Sequence, residues 1–265
     1  MPTITHDVHA ATQRPTPPPS RLLMLAEGRA LWEAGATLAT WPLLQTAPRG
    51  DHHAVLVFPG LIASDGSTKL LRRYLESLGY EAHGWGLGRN LGPRAGIEGG
   101  MVRRLQELYE RHNGRKVSLV GWSLGGVYAR MLANLYPDMV RNVVTLGSPL
   151  RGHAYSTNAW RVYEFVSGQK SHDPKRMQHV TATPSMPVTS IYSRSDGVVA
   201  WQCSLTEPGP QSENIEVLAS HVGLGAHPAV LYALADRLAQ PEGEWKPFDR
   251  KWFGPLVYPI PATNA

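Results

Sequence analysis

Two hydrophobic rhythms alternate along most of this chain. Ala54–Phe58 is a continuous apolar run, the pattern of a strand covered on both faces. Lys69–Leu78 follows with helical periodicity and stops at Gly79, a residue suited to the left-handed turn past a helix end. Tyr80–Trp85 reads as the next strand and runs into a glycine-rich loop, Gly84–Gly99. Met101–His112 sets Met101, Leu105, Leu108 and Tyr109 on one helix face, and Asn113-Gly114 stops it. Lys116–Val120 is a strand, Val127–Tyr136 the helix behind it, and Pro137-Asp138 ends that helix ahead of the strand Val140–Leu146. Residues 148–186 then break the rhythm with a long polar stretch holding one helical piece, Trp160–Val166. Pro187–Ser193 and Ile215–Leu218 restore strands, and Pro228–Leu238 is a closing helix with proline in its first turn. Strands alternating with helices predict an α/β domain over residues 51–265. Its central sheet should be mostly parallel, flanked by helices, with ligands beyond the carboxyl ends of the strands.

The flanks follow other rules. Residues 1–20 combine charged residues with Pro15, Pro17, Pro18 and Pro19 and read as a disordered leader. They contain no apolar segment of the kind that precedes a signal-peptide cleavage site, so a cytoplasmic location is expected. In residues 21–50, Met24, Leu25, Gly28, Leu31, Trp32, Gly35 and Leu38 recur at helical spacing and predict one amphipathic helix. Its apolar stripe is expected to pack on the domain's own surface. The alternative use of residues 21–45 is peripheral contact with a membrane surface. The aromatic tail with Trp245, Phe248, Trp252, Phe253 and Tyr258 is expected to pack down on the domain.

Composition changes this picture little. Basic residues number 26 against 21 acidic, for a net charge of +5, but pairs such as Arg72-Arg73 and Arg103-Arg104 are dispersed. Without a basic stripe or interleaved aromatics, nucleic acid is not an expected partner. Cys203 is the single cysteine, which rules out an intrachain disulfide. No elbow surrounds it, so it reads as a half-buried apolar residue and not as a nucleophile. No histidine or carboxylate cluster shows ligand spacing, so neither a metal nor another cofactor is expected.

The chemistry concentrates at Val117-Ser118-Leu119-Val120-Gly121-Trp122-Ser123-Leu124-Gly125. A strand running into Gly-x-Ser-x-Gly and then a helix is the context of a nucleophile elbow, with the serine on a strained turn and its hydroxyl exposed. A serine hydroxyl needs a base in hydrogen-bond reach, itself oriented by a third group. Asp196, in Arg194-Ser195-Asp196-Gly197 just past a strand, is the candidate acid, with Asp173 as its rival. His221, in Ala219-Ser220-His221 after the last strand, is the candidate base. His227 stands just before Pro228 and suits a helix cap better. An oxyanion hole requires backbone N–H donors. Leu124, after the nucleophile, should supply one. Leu61 in Phe58-Pro59-Gly60-Leu61 should supply the other, since Pro59 has no N–H. Apolar Ile62, Trp122, Tyr128 and Trp160 are the candidate lining of a substrate pocket.

On these pieces, with Gly147-Ser148-Pro149 in support, residues 52–240 resemble an α/β-hydrolase of the bacterial esterase and lipase group. The resemblance implies the α/β-hydrolase fold, Ser123 as nucleophile, His221 as base, Asp196 as its orienter, and a lid formed by residues 148–186. Many lipases carry His-Gly ahead of the oxyanion-hole residue, whereas this chain has Pro59-Gly60, which weakens a true-lipase reading. The expected activity is hydrolysis of a small or lipid-like carboxylic ester. The alternatives are acyl transfer or thioester hydrolysis through the same serine, and a non-catalytic binding protein on the same fold.

Overall fold

A computed structural model describes residues 16–170, 174–250 and 254–259. Most of the predicted leader, Asp173, Trp252 and Phe253 lie outside the described residues. The strands are β1 (Ala54–Phe58), β2 (Glu81–Gly84), β3 (Val117–Trp122), β4 (Val140–Leu146), β5 (Val188–Tyr192) and β6 (Ser212–Glu216). They form one sheet in the order β2-β1-β3-β4-β5-β6, and every neighbouring pair is parallel. The chain moves outward from β1 to β2 and then crosses back to β3 on the other side of β1. The loops after β1 and β3 therefore meet at the point where the winding reverses, the place such sheets use for ligands.

Side chains alternate faces along each strand, which divides the core in two. Val55 and Val57 of β1 join a cluster with α4 (Lys69–Ser77) and α9 (Pro228–Leu238), represented by Tyr74, Leu75, Val230 and Leu234. Ala54, Leu56 and Phe58 face the other way, toward α5 (Ile97–Arg111) and α6 (Leu124–Leu135), with Met101, Leu105, Tyr128 and Leu132. Burial on both faces explains why β1 is apolar at every position.

The structure moves several predicted boundaries. Helix α5 begins at Ile97 and α6 at Leu124, earlier than their apolar periodicity suggests, because glycines occupy both first turns. Strand β6 covers Ser212–Glu216 and not Ile215–Leu218. Its first half is polar because it is an edge strand, and Glu213 there pairs with Arg237. The 148–186 stretch holds two helices, α7 (Trp160–Ser167) and the unpredicted α8 (Pro174–Thr181). The sequence of α8 is polar; Val180 is buried, and Asn134 of α6 donates to the His179 and Ala182 carbonyls. Cys203 is fully buried, not half-buried. In the tail, Phe248 and Tyr258 are buried, and Tyr258 donates to Ala229 O.

The largest correction concerns residues 21–50. They form not one helix but α1 (Arg21–Leu25), a 3-10 turn (Ala26–Arg29), α2 (Ala30–Ala39) and α3 (Trp41–Leu44). Their amphipathic sense is also reversed. Leu25, Leu31 and Trp32 are 80%, 84% and 83% exposed, whereas Glu33 and Thr37 on the polar side are 9% and 0% exposed. Backbone donors of the domain satisfy that polar side, so its burial leaves no carboxylate unpaired. Among the described residues, no helix is long and apolar enough to cross a membrane.

Candidate active site

Ser123 follows the carboxyl end of β3 and begins the turn into α6 with φ +54° and ψ −122°, outside the regions an L-residue favours. Its neighbours allow this turn. A Cβ on Gly121 would overlap the backbone of Gly126, and one on Gly125 would overlap the Phe58 carbonyl. The strain aims the serine hydroxyl out of the strand tip. There His221 Nε2 lies 2.9 Å from Ser123 Oγ, and His221 Nδ1 lies 2.7 Å from Asp196 Oδ2. The other Asp196 oxygen accepts from the Val198 and Val199 amides, both at 2.8 Å, so the carboxylate is oriented by its own loop.

These three side chains come from loops after β3, β5 and β6, and the parallel sheet brings them to one edge. Asp196 and His221 are almost wholly buried. Burial, the largest single influence on His221, disfavours its protonated form. The Asp196 charge and hydrogen bond, joined by the Glu27 charge, outweigh it and raise the imidazole above its ordinary value. The imidazole thus has an anion on one side and a serine hydroxyl on the other, the arrangement a general base requires. His227 stands apart from the pair, accepting from Ala229 N as the cap of α9.

The predicted oxyanion donors lie around the same point. Leu124 is the first residue of α6, where an amide has no acceptor within its own helix. Leu61 follows Gly60, and a Cβ on Gly60 would stand 3.4 Å from Ser123 Cβ, so this loop passes directly beside the serine. Asn90, fully buried, fixes the loop from behind: its side-chain amide donates to Pro59 O at 2.8 Å, and its carbonyl accepts from Ile62 N at 2.7 Å. In the sequence, Asn90 belongs to the glycine-rich loop Gly84–Gly99, for which edging the site and merely connecting two elements are both open readings. Gly147, from the supporting Gly-Ser-Pro turn, has φ +55°, and a Cβ there would sit 3.1 Å from Asp196 Oδ2 and 3.2 Å from His221 Nδ1. Neither position carries a motif that marks its role.

The four candidate pocket residues divide. Ile62 is exposed beside the Leu61 loop. Trp160 lies in α7, edge-on to Tyr155. Trp122 instead holds the His221 loop, donating from Nε1 to His221 O at 3.0 Å. Tyr128 is a core residue stacked on Trp85, with its hydroxyl toward Asn90.

Two further clusters went unseen in the sequence. His53 Nε2 lies 2.8 Å from Ser118 Oγ and Nδ1 contacts Asp51, a second Ser-His-Asp set. Ser118 and His53 are fully buried within the sheet, where no substrate reaches them. Glu81 and His83 of edge strand β2 also come together with His112 at the end of α5, with ligand atoms within 4.8 Å of one another. Burial first, then the charges of Arg104 and Arg111, lower the proton affinity of His83, and the same charges oppose a bound cation.

Residues 88–206 match the family described as PGAP1-like alpha/beta domain. Among solved structures, lipase B of Aspergillus fumigatus aligns at 13% identity and TM-score 0.56, over 74% of this chain and 54% of that one. The thioesterase domain from the curacin biosynthetic pathway aligns at 14% identity and TM-score 0.50, over 71% and 92% of the two chains. With its parallel sheet, the turn at Ser123 between β3 and α6 and helices on both faces, the chain has the α/β-hydrolase fold.

Proposed function

We propose that this protein is a serine hydrolase that cleaves carboxylic esters through an acyl-enzyme. The carrying observation is the placement of His221 between Asp196 and Ser123, at hydrogen-bond distance from each, beside a serine on a positive-φ elbow. Ser123 Oγ attacks the ester carbonyl carbon as its proton passes to His221 Nε2. Asp196 steadies the imidazolium that forms. Negative charge gathers on the carbonyl oxygen, where the Leu61 and Leu124 N–H groups donate to it. The intermediate collapses with cleavage of the carbon–oxygen bond to the alcohol, which takes the proton from His221. Water then attacks the acyl-enzyme with His221 again as base, releasing the acid and restoring Ser123.

An apolar substrate fits the rim. Ile62 and Val222, which flank the oxyanion loop and the base, are both about half exposed, and Phe165 of α7 is exposed. Residues 148–186 serve as the lid over this rim: Gln169, just past α7, donates to Pro93 O of the glycine-rich loop at 2.6 Å. The exposed apolar row of Leu25, Leu31 and Trp32 then contacts a lipid surface, whose anionic headgroups suit a chain of net charge +5. Thioester cleavage or transfer to another acceptor proceeds through the same serine, and the likeness to a thioesterase domain favours keeping it as the second reading.

The test is turnover of p-nitrophenyl esters from acetate to palmitate by the wild type and Ser123→Ala. Hydrolysis lost in the variant supports the reading, and the preferred chain length ranks short-acyl against long-acyl substrates. Esters left uncut by a folded wild type would remove ester hydrolysis from consideration. Product analysis with added alcohol or thiol separates hydrolysis from acyl transfer.

A further inference from the structure

The polar face of the N-terminal helices is spent on the two loops that carry Asp196 and His221. One carboxylate joins them: Glu27 Oε1 accepts from Gly197 N at 2.7 Å and from His221 N at 3.0 Å, and Oε2 accepts from Val222 N at 2.8 Å. Glu33 adds a second hold on the base loop, accepting from Ser220 N at 2.8 Å and from Ser220 Oγ at 2.5 Å. Arg29 donates to Ser195 O at 2.8 Å on the acid loop. The loops in turn are shaped to receive this segment. A Cβ on Gly197 would overlap the Leu23 carbonyl, and one on Gly223 would overlap the Glu33 carboxylate.

We propose that Glu27 is a positioning residue for the Asp196–His221 pair, and that the segment from Ser20 to Thr40 is a strap that holds the acid and base loops in register. This rests on the reading of Ser123, His221 and Asp196 as the catalytic set. The reasoning is geometric. Asp196 and His221 meet through a single hydrogen bond between loops whose parent strands, β5 and β6, are the last two of the sheet. Glu27 accepts from the residue after Asp196 and from the backbone of His221 itself. It fixes the separation of the two loops independently of the side chains that meet across it. Charge-assisted bonds of this kind are strong and directional. The negative charge of Glu27 also favours the imidazolium that forms as Ser123 loses its proton.

The test compares full-length wild type, Glu27→Gln and Glu27→Ala with Ser123→Ala as reference. It measures kcat, KM and the pH profile on the best p-nitrophenyl ester, and the downfield proton resonance of the His221–Asp196 hydrogen bond. The proposal expects kcat to fall about tenfold in Glu27→Gln and about a hundredfold in Glu27→Ala, with KM within about twofold. It also expects the acidic limb of the profile to move to lower pH, and the downfield resonance to broaden or vanish. If Glu27→Ala does not fold by circular dichroism, the isosteric Glu27→Gln decides. Unchanged kcat, profile and resonance in a folded Glu27 variant overturn the strap while leaving the triad standing. A Ser123→Ala variant as active as wild type overturns the catalytic set and the strap with it; where the wild type is inert on these esters, the downfield resonance alone decides the strap.

Discussion

Ser123 keeps a backbone conformation that costs a non-glycine residue about 1–3 kcal/mol, and the surrounding glycines make that conformation the one available. Gly147 works in the same way beneath the acid–base pair. A Gly147→Ala change puts a methyl group against Leu224, Asp196 and His221 at a positive φ. It should lower kcat by roughly tenfold or more and stability by about 1–3 kcal/mol, read by turnover and thermal unfolding. Asp196→Asn keeps the shape but loses the anion that orients His221. Its kcat should drop by about four orders of magnitude with the fold intact, and near-wild-type turnover removes Asp196 from the set. Acid pH should have a related effect. Because His221 is raised above the ordinary histidine value, the base is protonated, and activity lost, as pH falls through a point above 6.5. A kcat/KM profile with its acidic midpoint clearly below 6.5 contradicts this. Ser123, Asp196 and His221 were legible because each sits in a short motif at a strand end. Asn90 and Glu27 were not, because no motif surrounds either and only the fold brings them to these loops, and Gly147 was read only as part of a supporting turn.

At the scale of elements, periodicity located the alternation of strands and helices well, and the closing helix Pro228–Leu238 matches residue for residue. It failed where amphipathicity alone was asked which face docks. A helical stripe records that apolar positions share a side, not that the side meets the core. Along the 3-10 turn and α2, the loops carrying Asp196 and His221 offer backbone amides to Glu27 and Glu33, so the carboxylates dock there and the apolar stripe is left outside. Edge strand β6 and helix α8 were missed for a related reason, since neither Ser212–Glu216 nor Pro174–Thr181 carries an apolar period in its sequence. The outward stripe makes its own prediction. Changing Leu25, Leu31 and Trp32 together to glutamate should abolish sedimentation with anionic vesicles. Turnover of a soluble short-chain ester should stay within about twofold, because none of the three is buried. Equal sedimentation of variant and wild type would show that this face does not bind lipid.

For the molecule as a whole, the contrast between its two Ser-His-Asp sets shows that geometry needs access. Asp51, His53 and Ser118 satisfy the spacing, but His53 and Ser118 are fully buried, and their contribution is to stability. Burial chiefly, with Arg141 and Arg115 adding to it against the pull of Asp51, lowers His53 to about 4 from 6.5. The unfolded chain therefore takes up a proton between pH 6.5 and 4 that the folded chain refuses. Stability should rise with pH across that window and be lost on acidification, by about 3 kcal/mol for this histidine. Denaturant unfolding at pH 4.5 and 7 checks this, and His53→Gln should be less stable but flatter with pH. The sheet also places Leu61, Ser123, Asp196 and His221 at one edge, on loops after β1, β3, β5 and β6. The most direct measurement of the central claim is covalent labelling by a fluorophosphonate, with the adduct located by mass spectrometry. The account predicts stoichiometric modification of Ser123 in the folded protein, none after unfolding in urea, and none in Ser123→Ala. A folded protein that stays unmodified, or carries its adduct on another serine, contradicts it.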